Sequence, residues 1–330
     1  MNPLFPVLAL NNIITQLINK NISADISENI KKGLNNEIHF IDQDCPISDI
    51  AQIAKSSIDE RSHVTLSAAY CQYLWLICSL IIREIDLSVI TEECEQSGIS
   101  LEQIFEEISK KARYKSKDVH TKQCTDFLKQ LLELKNKTEF QNQQEYHMNL
   151  LHELTGGKPF NLDDFSKINL NSFYGEKANS VYCFGICFIL LHEASHFSLG
   201  HMNTKNYAIE DEVNADSSSF WNIYSDDKFE TEKFSAGCGV LCALFSLLYQ
   251  NPTIESDNIH PAEDDRIFEV YDLIKEDNPK YTVLLVQLFR YWADLHQIAG
   301  FPNDLQNTEE SVDKIKCFLA EYKKQNNKCY

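Results

Sequence analysis

The chain has 330 residues, 43% of them hydrophobic, enough for one large domain or two ordinary ones around a sizeable core. Its formal net charge of −19 argues against a nucleic-acid binder or an anionic-membrane binder, both of which need a basic face, and favours a soluble protein or one that meets a basic partner. The 11 cysteines are odd in number, form no C-x-x-C pair and sit partly inside apolar runs (Cys71, Cys78, Cys183, Cys187, Cys238, Cys242), so small buried hydrophobes in a reducing cytosol are expected, not a disulfide scaffold.

Along the chain, residues 1–60 read as an amphipathic N-terminal helix followed by a strand-like patch, Ile38-His39-Phe40-Ile41. Met1 to Lys20 lacks a basic start and carries Asn11-Asn12 inside its apolar run, so no signal peptide is expected. His63 to Ser67 reads as a strand feeding a helix over Tyr70–Ile82. Val64 to Ile82 carries no charge and is long enough to be weighed as a membrane span. Its Thr65, Ser67, Gln72 and Ser79, and the recurrence of Tyr70, Leu74, Ile77 and Ile81, favour a buried central helix instead. From Ile90 to about Leu154 the pattern is helical, polar and charged, with Leu101, Ile104, Phe105 and Ile108 on one face. Thr155-Gly156-Gly157-Lys158-Pro159 breaks it, and Asn169 to Tyr174 reads as a short edge strand. Helical blocks follow at 178–199, 208–224, 235–250 and 281–298, with a terminal one near 309–324.

The block at 178–199 is uncharged from Ala178 onward except at Glu193, and it contains His192-Glu193-Ala194-Ser195-His196. Four residues of α-helix bring the two imidazoles one turn apart on one face, where a single Zn²⁺ takes both and the adjacent carboxylate works on a bound water. Burying two histidines and a glutamate without a partner would cost several kcal/mol, a cost a metal removes. Gly200 is placed to end the helix in the left-handed conformation.

The next block supplies the rest of the site. With Ile209 at the centre of an inward stripe completed by Val213, Phe220 and Ile223, Glu212 and Asp216 fall on the buried face, while Glu210 and Asp211 point to solvent. Glu212 is therefore assigned as the third zinc ligand. Asp216, one turn on, is assigned to accept the free ring N–H of a zinc histidine and fix its tautomer. His201 lies beyond the helix end at a spacing that does not match the metzincin pattern, and is read as supporting or structural. His260-Pro261 and Arg266-Ile267, placed between helices, include a histidine and an arginine suited to an oxyanion.

Together, His192-Glu193-x-x-His196-x-x-x-Gly200-His201, Glu212-x-x-Ala215-Asp216, His260-Pro261 and Arg266-Ile267 resemble the gluzincin core of HtpX-like and CAAX-prenyl proteases. Those relatives are integral membrane proteins. The short ligand spacing and the uncharged Tyr70-Cys71-Gln72-Tyr73-Leu74-Trp75 stretch resemble instead the soluble Lit-type phage-exclusion peptidases. The resemblance covers roughly residues 64–82 and 178–267. It implies His192, His196 and Glu212 as Zn²⁺ ligands, Glu193 as general base, and His260 and Arg266 as transition-state support. It further implies a bacterial cytoplasmic protease of antiviral defence whose substrate is elongation factor Tu. A cytosolic protease needs restraint, so an activating peptide or protein is expected, with 90–154 as the segment for substrate or activator contact.

The expected fold is mostly α (α+β), with a zincin-like helical metallopeptidase core over residues 176–330. A mostly helical region with a short sheet is expected over 1–175. Two other functions stay open. One is a zinc-binding regulator of a toxin or defence system whose metal is structural, with His201 as fourth ligand. The other is a repressor-cleaving metalloprotease that depends on a separate DNA-binding partner.

Overall fold

The computed structural model describes residues 7–21, 38–41, 51–55, 62–98, 103, 137–156, 173–201, 208–224, 230–256 and 260–326. Helix α1 (Val7–Asn21) is followed by strands β1 (Ile38–Ile41), β2 (Ala51–Lys55) and β3 (Ser62–Ser67), and by α2 (Ala68–Ser97) and α3 (Lys137–Thr155). The second half holds α4 (Phe173–Ser198), α5 (Ile209–Ile223), α6 (Glu230–Leu248), α7 (Glu263–Ile274), α8 (Lys280–Leu295) and α9 (Glu309–Asn326). The expected mostly-α architecture with a small sheet is what is found. The three strands form one sheet in the order β1-β3-β2. β1 runs parallel to β3 with Ile38 opposite Val64, and β2 runs antiparallel to it with Ile53 opposite Val64.

β3 runs straight into α2 because Ser67 caps the helix: its Oγ accepts the Tyr70 N–H at 3.3 Å. With Tyr70 through Ile82 all buried, α2 is enclosed on every face, as a helix apolar all round must be. It packs against α3, α4, α6 and α8. Among the described residues no helix is long and apolar enough to cross a membrane. α1 buries Leu10, Ile14 and Ile18, a stripe at one side of the helix, against α4.

α4 carries the HExxH segment and is clasped by α1, α2, α5 and α6. Trp75 Nε1 donates to Asn179 Oδ1 at 2.8 Å and ties it to α2. Its crossing with α6 is set by glycine: a Cβ on Gly239 would stand 2.6 Å from the Val181 carbonyl oxygen and 2.7 Å from the Gly185 nitrogen. Gly200 closes the helix with φ +79°, the left-handed end that its position suggested.

The structure corrects several sequence expectations. Phe173 and Tyr174 form the first turn of α4 instead of ending an edge strand, and 169–172 lie outside the described residues. Arg266 and Ile267 do not stand between helices but inside α7, whose first turn is Glu263-Asp264-Asp265. Acidic side chains there complement the helix N-terminus, and Ile267, Val270, Tyr271 and Ile274 supply the buried stripe. α8 stops at Leu295, short of 298, because Gln297 turns to φ 51°. The face marked by Leu101, Ile104, Phe105 and Ile108 lies outside the described residues.

Gly239→Ala tests the α4–α6 crossing. Overpacking against backbone should destabilise the protein by about 1–3 kcal/mol in a denaturant titration. A change below about 0.5 kcal/mol would mean that the helices do not approach as described.

Candidate active site

α4 brings His192 and His196 to its last turns, where the rings meet edge to face with centroids 4.6 Å apart. Their Nε2 atoms are 2.9 Å apart. α5 begins with the Asp211 carboxylate accepting the Ala208 N–H at 3.0 Å, which satisfies one of the free donors of a helix start. Its buried stripe is Glu212, Ala215, Asp216, Ser219, Phe220 and Ile223. The inward face is therefore turned from the one drawn on the apolar residues. Ile209, expected at its centre, is 39% exposed, while Glu212 lies squarely on it. Ser195 Oγ donates to Ser218 Oγ at 3.1 Å and links α4 to α5 above the cluster.

Glu212 faces both imidazoles. Its Oε2 is 3.3 Å from His192 Nε2 and its Oε1 is 3.3 Å from His196 Nε2. Each of the three side chains offers a donor atom within 4.8 Å of the others. Tetrahedral zinc with bonds of about 2.0–2.1 Å sets its donors about 3.3 Å apart, so the separations suit the ion. The donor chemistry agrees. Two neutral ring nitrogens facing each other share one proton or none. With none, two lone pairs and a carboxylate converge, and a cation is what relieves them. His192, His196 and Glu212 thus fit a zinc site, two nitrogens and one carboxylate being a known catalytic set that leaves a fourth position open.

The far side of His192 faces a carboxylate. Its Nδ1 approaches Asp216 Oδ1 to 2.8 Å. Arg266 grips the same carboxylate at both oxygens, Nε donating to Oδ2 at 2.6 Å and Nη2 to Oδ1 at 2.7 Å, the bidentate geometry a guanidinium favours. Burial alone would raise the Asp216 carboxyl, but Arg266 and His192 outweigh it and hold the pKa below the usual value. Burial opposes charge on His192, and the carboxylates of Asp216 and Glu212 overcome it, lifting its pKa to about 9. Glu193 is mostly buried and burial raises its carboxyl pKa, while the charges of His192, His196, Glu212 and Arg266 all bear on it.

His196 is held on its far side by His201. The two Nδ1 atoms are 3.0 Å apart, and His201 Nε2 lies 3.3 Å from Asp211 Oδ1. Asp211, expected to face solvent, is half-buried and occupied twice. His260 is exposed at the turn before α7, close enough for its charge to be felt at Glu263.

The structure thus gathers His192, Glu193, His196, Glu212, Asp216 and Arg266 into one buried neighbourhood. The Arg266–Asp216 pair escaped sequence reading because α7 did. The spacing of Ile267, Val270 and Ile274 was its available signal. Asp211 was also missed, although the third position of a helix is where a capping carboxylate sits.

The model of the family described as Peptidase U49 matches residues 64–285, from β3 into α8. No curated protein and no solved structure matches the chain.

Arg266→Met would leave the buried Asp216 carboxylate facing His192 but without its bidentate partner. The metal-free protein should lose about 3–5 kcal/mol, and adding Asp216→Leu should restore part of it, since replacing both members of a buried pair is far milder than removing one. Equal losses in single and double variants, measured by denaturant titration, would contradict the pairing.

Proposed function

The chain belongs to the Peptidase U49 family, and we propose that it is a zinc-dependent endopeptidase of the gluzincin type, with His192, His196 and Glu212 as the metal ligands. The observation that carries this reading is the convergence of two Nε2 atoms and one carboxylate at 2.9–3.3 Å, at the end of an apolar helix.

A zinc ion bound there supplies Lewis-acid polarisation of a carbonyl and lowers the pKa of a coordinated water to about 7. The chain's own residues do the rest. Glu193, next to His192 on the HExxH turn, accepts the proton of the attacking water and delivers it to the leaving amine. Asp216 orients His192 through Nδ1, and Arg266 holds Asp216 ionised, so Arg266 acts on the site through the carboxylate it grips. His260 stands exposed ahead of α7 and is proposed to support the developing oxyanion.

The substrate is proposed to be a cytosolic protein. The resemblance to Lit-type phage-exclusion peptidases supports elongation factor Tu, cytoplasmic residence, an antiviral role, and control by an activating peptide or protein. A zinc-binding regulator with His201 as fourth ligand is the competing reading. It is not favoured, because His201 meets His196 at Nδ1, on the side of the ring away from the converging donors.

Glu193→Gln separates the two. It should keep one zinc per chain by elemental analysis and lose about 10²–10⁴-fold in cleavage, assayed on purified elongation factor Tu and on bacterial lysate with activator present. Cleavage at the wild-type rate would refute the role of Glu193. A chelator should abolish the wild-type activity and Zn²⁺ restore it.

A further inference from the structure

We infer that His201, backed by Asp211, is a positioning residue that fixes the tautomer of His196 so that its Nε2 lone pair faces the metal; the inference rests on the zinc reading of the cluster. His201 and Asp211 lie on opposite sides of the break between α4 and α5. His201 follows the left-handed Gly200, and Asp211 belongs to the first turn of α5. His201 is 7% exposed, as enclosed as His196 at 5%.

Proton placement between the two rings, each carrying one ring proton, sets the tautomer. Nδ1 of His196 faces Nδ1 of His201 at 3.0 Å, so one of them donates and the other accepts. If His201 donated from Nδ1, its Nε2 would present a lone pair to the Asp211 carboxylate 3.3 Å away, acceptor against acceptor. The remaining proton of His196 would then stand on Nε2, pointing into the ligand cluster. If His196 donates from Nδ1, His201 accepts at Nδ1 and turns its own Nε2–H to Asp211, and both of these contacts are matched. Asp211 thereby decides the tautomer of His196 through the one side chain between them. Its second oxygen accepts the Ala208 N–H at 3.0 Å, so the start of α5 fixes the carboxylate in place.

The two ligand histidines are therefore held by different devices. His192 leans on a carboxylate pinned by Arg266. His196 leans on an imidazole pinned by Asp211. Outer partners of this kind typically change metal affinity 10–100-fold when removed.

The test measures the zinc dissociation constant of the metal-free protein by competition with a chromophoric chelator, in wild type, His201→Leu, His201→Asn and Asp211→Asn. Leucine keeps most of the ring's bulk and removes the acceptor. Asparagine shrinks the side chain but returns an acceptor oxygen near the position of Nδ1. His201→Leu should weaken zinc about 10–100-fold, and His201→Asn should recover affinity to within about threefold of wild type. Asp211→Asn, whose single oxygen can still cap α5, turns an NH2 donor toward His201 Nε2, favours the opposite tautomer and should fall as far as His201→Leu. Thermal midpoints of the metal-free variants report the packing contribution, which would rank asparagine below leucine. The proposal is overturned if His201→Leu binds zinc within about twofold of wild type, or if His201→Asn falls as far as His201→Leu. It is also overturned if both variants lose an imidazole donor in zinc-edge X-ray absorption, which would make His201 a ligand. A wild-type protein with no zinc affinity would instead defeat the reading of the cluster itself.

Discussion

Two imidazole nitrogens 2.9 Å apart, with a carboxylate 3.3 Å from each, form an arrangement that a protein interior does not favour for its own sake. Lone pairs converge where water is scarce, and the repulsion is lifted by a bound cation or, in its absence, by a proton that the carboxylates of Asp216 and Glu212 hold on His192. The rest of the molecule is organised around keeping these groups together. α4 delivers both rings, α5 delivers the carboxylate, and α7 delivers the arginine that neutralises Asp216 behind His192.

Rigidity comes from the layers beneath. α2 is enclosed by α3, α4, α6 and α8 and offers α4 an apolar floor. The close approach of Gly239 to the Val181–Gly185 backbone fixes how deep α4 lies. A helix held on so many sides presents its last turn in one orientation, and a metal site of the kind proposed would need that, because ligands must be preorganised to within about 0.5 Å. The short sheet contributes chiefly by launching α2: β3 ends at Ser67, and the same Ser67 caps the helix.

Much of this was legible in the sequence, for identifiable reasons. His192 and His196, and likewise Glu212 and Asp216, sixteen and twenty residues past His196, are each four residues apart, so each pair shares one face of its own helix by spacing alone. The direction of that face on α5 was less secure, because Ile209 and Val213 are apolar and drew the wheel toward themselves. In the fold Ile209 is 39% exposed, and the true stripe runs through Ala215 and Ser219, residues too small to announce it. α7 was hidden by its charged first turn, which reads as loop composition although acidic residues favour a helix start. Contacts set by tertiary packing, such as Arg266 on Asp216 and His201 on His196, carry no periodicity and arise only when the helices pack.

The account stands or falls on a metal with a definite set of donors. Zinc-edge X-ray absorption on the purified protein addresses it directly. One zinc per chain, four-coordinate with only nitrogen and oxygen donors and two of them imidazoles, is the predicted result. A stoichiometric protein without metal, or a zinc bound through sulfur or through three imidazoles, would contradict it.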